Sequence, residues 1–235
     1  MPTAKDVKAL TDCVKQKALQ LSADVVGVAG VERFETPPPF DEEKVSPYPP
    51  TGCAPAELLP GARSVISLGL GQLMGVMESS SCHAKTTYTF GNYGYWLLNH
   101  RLDQISFDLA RWLEEKGWPS LPLGEFSSCR FSEKAQREPD YKAALHGVFS
   151  VKRAAVLAGI GRKSKTTLVA NPTFGTKIRL GCVITTAPLE EDTLLEDSPC
   201  PPNCKICVEV CPTGSVLPDG RVDHIRCYAD VGRRG

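Results

Sequence analysis

Four cysteines fall within twelve residues near the end of the chain, in Cys200-Pro-Pro-Asn-Cys204-Lys-Ile-Cys207-Val-Glu-Val-Cys211-Pro-Thr-Gly214. No other stretch restricts fold and chemistry so strongly. An iron–sulfur cubane offers four iron corners a few ångströms apart. Loop residues spaced this closely can each turn a sulfur onto one corner. Closely spaced thiols ending in Cys-Pro have the ligand spacing of a bacterial-type [4Fe–4S] site, whose last cysteine usually serves a second cluster. The first gap here holds three residues rather than two. Zinc favours two separated pairs of ligands. Neither zinc nor a disulfide needs the Cys-Pro-Thr-Gly ending, so the run reads as a [4Fe–4S] segment.

The rest of the composition is that of an ordinary globular chain. In 235 residues, 42% are hydrophobic and 23% charged, enough for one sizeable core with a small appendage. The formal net charge is zero, which argues against a general binder of nucleic acid or anionic membrane. No apolar run reaches membrane length. Met1-Pro-Thr-Ala-Lys-Asp6 has no basic segment followed by an apolar one, so no secretory leader is expected. Ten cysteines without a leader read as metal ligands and reduced thiols in a reducing cytoplasm.

Hydrophobic periodicity places the main elements. A capping pattern at Thr3 opens a helix over 4–21, with Val7, Leu10, Val14, Ala18 and Leu21 on one face. Short strands follow over 24–29 and 64–70. Between them, 36–50 is too rich in proline for regular structure. Gly69, Gly71 and Gly75 do not have dinucleotide-loop spacing and read as a tight turn, with Ser79 to His83 a polar loop. The Cys82-His83 neighbours are read as incidental. The aromatic stretch Tyr88–Trp96 is read chiefly as packing a core edge, with stacking on a flat ligand the alternative. The strongest helix carries Leu98, Leu102, Ile105, Leu109, Trp112 and Leu113, and Gly117 and Pro119 close it. A helix over 143–158, strands over 167–170 and 176–186, and an acidic linker over 188–198 complete the body. The Arg162-Lys-Ser-Lys-Thr-Thr167 run lacks the glycines of a phosphate loop.

Two stretches together resemble a known family. They are Ala154-Ala-Val-Leu-Ala-Gly-Ile-Gly161 through Lys165-Thr-Thr-Leu-Val-Ala-Asn-Pro-Thr-Phe-Gly175 to Arg179-Leu-Gly-Cys-Val-Ile-Thr-Thr186, and the cysteine run. In this order they resemble the epoxyqueuosine reductases and the related corrinoid-dependent reductive dehalogenases. The resemblance implies an α/β (α+β) fold: a nitroreductase-like, cobalamin-binding body over 1–190, then an incomplete ferredoxin-like segment over 191–235. It implies an oxidoreductase that passes electrons from [4Fe–4S] to a corrinoid or a corrinoid-bound substrate. An external donor such as ferredoxin or flavodoxin would supply the electrons, with tRNA as partner in a true epoxyqueuosine reductase and no membrane. An electron-transfer module without its own substrate, or a flavin-dependent reductase, is the alternative.

The departures from that family matter as much. Where the family carries an acid, taken as the proton donor, this chain has Leu145-His146-Gly-Val-Phe-Ser-Val-Lys-Arg153. His146 is the candidate replacement, since a histidine near neutral pKa can deliver a proton; a surface or capped core histidine is the plainer role. Lys165 keeps the place of the family lysine and would meet a corrinoid propionamide or phosphate, or else stand solvated. Two clusters need eight thiolates, whereas Cys200, Cys204, Cys207, Cys211 and Cys227 are five. A single cluster would take Cys200, Cys204 and Cys207, with Cys211 or Cys227 as fourth ligand. Cys13, Cys53, Cys82, Cys129 and Cys182 are read as buried small hydrophobes.

Overall fold

The computed structural model describes residues 3–35, 54–82, 89–124, 149–218, 222, 223, 226 and 227, the side chains of 80–82 excepted. Besides a 3-10 turn (Val31–Phe34) and a single helical turn (Pro55–Leu58), the elements in chain order are helix α1 (Ala4–Gln20), strand β1 (Val25–Gly30), strand β2 (Ser64–Gly71), helix α2 (Met74–Cys82), a π-helical segment (Phe90–Trp96) running into helix α3 (Leu97–Glu114), strand β3 (Ser120–Leu123), helix α4 (Val151–Leu157), the short strands β4 (Arg162–Lys163) and β5 (Val169–Ala170), strand β6 (Ile178–Thr185) and the one-turn helix α5 (Ile206–Glu209). The result is a mixed helix-and-sheet body. Four strands form one sheet in the order β1-β2-β6-β3, all neighbours antiparallel.

The two central strands are buried along nearly their whole length because the sheet is covered on both faces. Strand geometry sends alternate side chains to opposite sides. Val28, Ile66, Leu68 and Val183 meet Val14 and Ala18 of α1 and Leu102, Leu109 and Leu113 of α3 on one face. Val65, Cys182 and Ile184 meet Ala154, Leu157 and Ala158 on the other. A third cluster, with Val156, Ile160, Val169 and Leu180, seals the space under the β4–β5 hairpin. Helix α4 lies so close to β1 that a Cβ on Gly27 would overlap the Ala158 carbonyl oxygen.

The cap at Thr3 forms as the sequence implies: the Asp6 amide donates to the Thr3 hydroxyl at 3.3 Å, and the Thr3 amide to the Asp6 carboxylate at 2.9 Å. Several expectations change. Residues 74–82 are helical rather than a glycine turn and a polar loop, and β3 was not anticipated. Of the helix expected over 143–158, residues 143–148 lie outside the described residues; α4 is capped at Ser150, whose hydroxyl accepts from the Arg153 amide at 3.2 Å. Past its last residue, Leu157, and the cap Ala158, Gly159 turns the chain at φ +70°, with the Ile160 amide reaching back to the Ala155 carbonyl at 3.0 Å. Within the aromatic stretch, Phe90 and Tyr95 are half-buried, and Tyr88 lies outside the described residues. Tyr93 and Trp96 are about half exposed, because the π-helical turn faces them outward. Cys182 is fully buried as expected, but Cys13 is exposed on the outer side of α1. Cys53 and Cys129 lie outside the described residues, as does the side chain of Cys82.

Candidate metal centre

The chain leaves β6 through the acidic linker, which is bound to the body by side chains from three distant elements. Lys15 donates to the Asp192 carboxylate at 2.5 Å, and the Val28 amide donates to its other oxygen at 2.8 Å. Arg33 donates to the carbonyls of Leu157 and Asp192 at 2.7 and 2.8 Å and pairs with Glu191 at 2.6 Å. Arg162, 5% exposed, donates to the Leu195 carbonyl at 3.1 Å and to that of Glu196. The linker is thus a strap with defined contacts. Its acidic residues gave one signal of this, but the basic partners lie too far away in sequence to be matched to them by reading.

The cysteine loop follows the strap. Its first turn is closed by the Cys204 amide donating to the Pro201 carbonyl at 3.0 Å. Lys165, from the tip of the β4–β5 hairpin, donates to the Cys204 carbonyl at 2.9 Å and reaches that of Pro202 at 3.4 Å. The sequence leaves this lysine either against a corrinoid or solvated; in the structure its ammonium reaches the cysteine loop. Cys200, Cys204, Cys207 and Cys211 are half-buried, Cys227 is exposed, and all five are free thiols. The Cys211 sulfur accepts from the Ser215 amide at 3.2 Å and lies 3.5 Å from the Thr213 hydroxyl. The Thr213 hydroxyl contact, followed by backbone N–H groups of Val216, Thr213 and Ser215, holds the Cys211 thiol down at about 6. That is the environment of a thiolate ligand.

Five soft donors on one stretch, one already in a thiolate cradle, fit iron–sulfur ligation in kind. Among the described residues, however, no three His, Cys, Asp or Glu side chains are grouped as a metal site. His146 lies outside the described residues.

The body carries a second polar group that the sequence did not reveal. Arg179 of β6 donates to the Asn99 side-chain oxygen at 2.9 Å, and its guanidinium lies 4.3 Å from the Tyr95 ring centre. Asn99 is fully buried beneath it on α3.

The fold of the chain is shared with solved proteins. An epoxyqueuosine reductase solved with an epoxyqueuosine-modified tRNA-Tyr stem loop superposes with a TM-score of 0.64 at 19% identity, over 93% of this chain and 56% of that one. A catabolic reductive dehalogenase in complex with 3-bromo-4-hydroxybenzoic acid gives 0.62 at 16% identity, over 96% of this chain and 30% of that one. In sequence, the chain is a homologue of proteins named epoxyqueuosine reductase. That from Staphylococcus aureus is 28% identical over 95% of this chain and 57% of its own length. That from a Synechococcus species is 26% identical over 94% and 65% respectively. The chain spans roughly half the length of the curated relatives it matches. No protein-family model matches it.

Proposed function

We propose that the chain is an iron–sulfur reductase of the epoxyqueuosine reductase-like group. Cys200, Cys204 and Cys207, with Cys211 or Cys227, would hold one [4Fe–4S] cluster. The nitroreductase-like body over 1–190 would hold a corrinoid, and the ferredoxin-like segment over 191–235 the cluster. When bound, these groups supply single-electron transfer and a strong cobalt nucleophile. The chain's own residues bind and orient them. The Cys211 cradle favours the thiolate, and the strap fixes where the cysteine loop sits against the body. The observation that carries the reading is the cysteine run, with the Cys211 sulfur accepting from the Ser215 amide, on a chain homologous to proteins named epoxyqueuosine reductase. The exposed Tyr93 and Trp96 offer the kind of surface on which a flat macrocycle packs.

His146 is the proposed proton source, in the stretch where the family resemblance implies an acid. A soluble ferredoxin or flavodoxin in the cytoplasm is the proposed electron donor. Among the described residues no helix is long and apolar enough to cross a membrane. Since one structural neighbour was solved with a modified tRNA stem loop, tRNA carrying epoxyqueuosine is the first substrate to try.

The test is iron and cobalt per chain after anaerobic expression with cobalamin, followed by turnover on that tRNA. About four irons with one cobalt are expected for a single cluster and one corrinoid. Four irons without cobalt would transfer the assignment to an electron-transfer module or a flavin-dependent reductase. Zinc in place of iron would overturn the reading. The absence of a carboxylate from 145–153 favours the electron-transfer module as the second reading.

A further inference from the structure

The first cysteine gap departs from the usual two residues, and the structure contains a device that matches the departure. The gap, one residue longer than usual, is Pro201-Pro202-Asn203. Proline has no N–H, so this loop is short of backbone donors while keeping all its carbonyls. The Cys204 amide satisfies the carbonyl of Pro201. The carbonyls of Pro202 and Cys204 face one cation, the Lys165 ammonium, at 3.4 and 2.9 Å.

Lys165 is well placed to act as a fixed point. It is the second residue of the five-residue loop joining β4 to β5. The Ser164 amide donates to the Leu168 carbonyl at 2.8 Å, the Thr167 amide to the Ser164 carbonyl at 2.9 Å, and Thr167 takes a φ of +63°. A non-glycine residue held in that region marks a loop fixed by its surroundings. The hairpin base is rooted in the core through Ile160 and Val169, both under 7% exposed. Arg162 at that base holds the strap at 195 and 196, and Lys165 at the tip holds the loop at 202 and 204. One rigid hairpin thus grips the chain on both sides of Cys200.

We propose that Lys165 is a positioning residue for the cluster, clamping the proline-widened gap so that Cys200 and Cys204 present their sulfurs to one centre. The inference rests on the cluster reading above. It also places a positive charge one peptide from a ligand thiolate, which stabilises the reduced, more negative cluster. Partners of this kind outside the ligand shell tune affinity and potential.

The test compares the wild-type chain with Lys165→Met, Lys165→Arg and Lys205→Met, the last removing a charge next to Cys204 without a tether. Lys165→Met is expected to lose iron to a chelator about tenfold faster under anaerobic conditions. Its midpoint potential should move to more negative values. Lys165→Arg should restore iron retention, and Lys205→Met should leave it at the wild-type rate. Iron retention and potential unchanged in Lys165→Met would overturn the clamp, as would equally fast loss from Lys205→Met. If the wild-type chain binds no iron, the cluster reading fails, and amide exchange over 200–207 in the metal-free chain decides the clamp separately. Faster exchange in Lys165→Met upholds it, and an unchanged rate overturns it.

Discussion

The sheet body and the cysteine segment are held by different physics. In the body, buried apolar side chains from α1, α3 and α4 close both faces of four strands. Beyond the strap, over 199–218, Ser215 is the only buried residue, and Ile206 of α5 and Val210 just after it are about two-thirds exposed. A segment this short cannot bury enough apolar surface to order itself, and such segments are ordered by metals or by tethers. Here the tethers come from the body: Arg162, Lys165 and the groups around Asp192. The body is folded by its own core, whereas the cysteine segment depends on the body and, as proposed, on its cluster.

The largest effects should separate the two regions. Leu109 is fully buried between α3 and the sheet. Leu109→Ala should cost the body about 2–5 kcal/mol, measured by denaturant unfolding, while iron per folded chain stays unchanged. Cys207→Ser should do the reverse, losing iron with no shift in the body's unfolding midpoint. If Cys207→Ser lowers that midpoint as well, the two regions form one cooperative unit and the contrast is broken.

Next in size is the junction. Asp192 joins the strap to α1 and β1 through Lys15 and the Val28 amide, with its side chain about a third exposed. Asp192→Asn should cost about 1.5 kcal/mol, the low end for hydrogen bonds to a charged group. Amides of 189–195 should then exchange faster than those of β2 or β6. Equal exchange in strap and sheet would mean that Arg33 and Arg162 hold the strap without it.

The division between the regions also explains what could be read in advance. The stripe Leu102, Ile105, Leu109 and Leu113 gave α3 because helix period and burial coincide there. Strands β2 and β6 were legible as apolar runs bounded by turns. The short edge strand β3 was not, since Pro119 and Pro122 argue locally against a strand and only pairing with β6 makes one. Helix α2 was hidden by Gly75 and a run of serines. In the candidate site, the thiols were legible from spacing alone. Their tethers were not: Lys165 meets Cys204 across 39 positions and Lys15 meets Asp192 across 177, and no local pattern encodes such a pairing.

The smallest effect belongs to the cap of α1, part of the body alone. Thr3→Ala removes the hydroxyl that accepts from the Asp6 amide and should cost about 1 kcal/mol at neutral pH. The Asp6 carboxyl is held below its ordinary value, first by the Thr3 hydroxyl and then by the Thr3 amide. A carboxyl depressed by folding contributes stability above its unfolded pKa and loses it as pH falls through the folded value. The difference between wild type and Thr3→Ala should therefore be full at pH 7 and shrink below about pH 4, where the carboxylate that receives the hydroxyl proton is lost. Iron retention should not follow it at any pH where the cluster itself survives. A loss of iron on removing this cap would mean that α1 transmits strain to the strap through Lys15, and the body would then be coupled to the cysteine segment more tightly than its separate core implies.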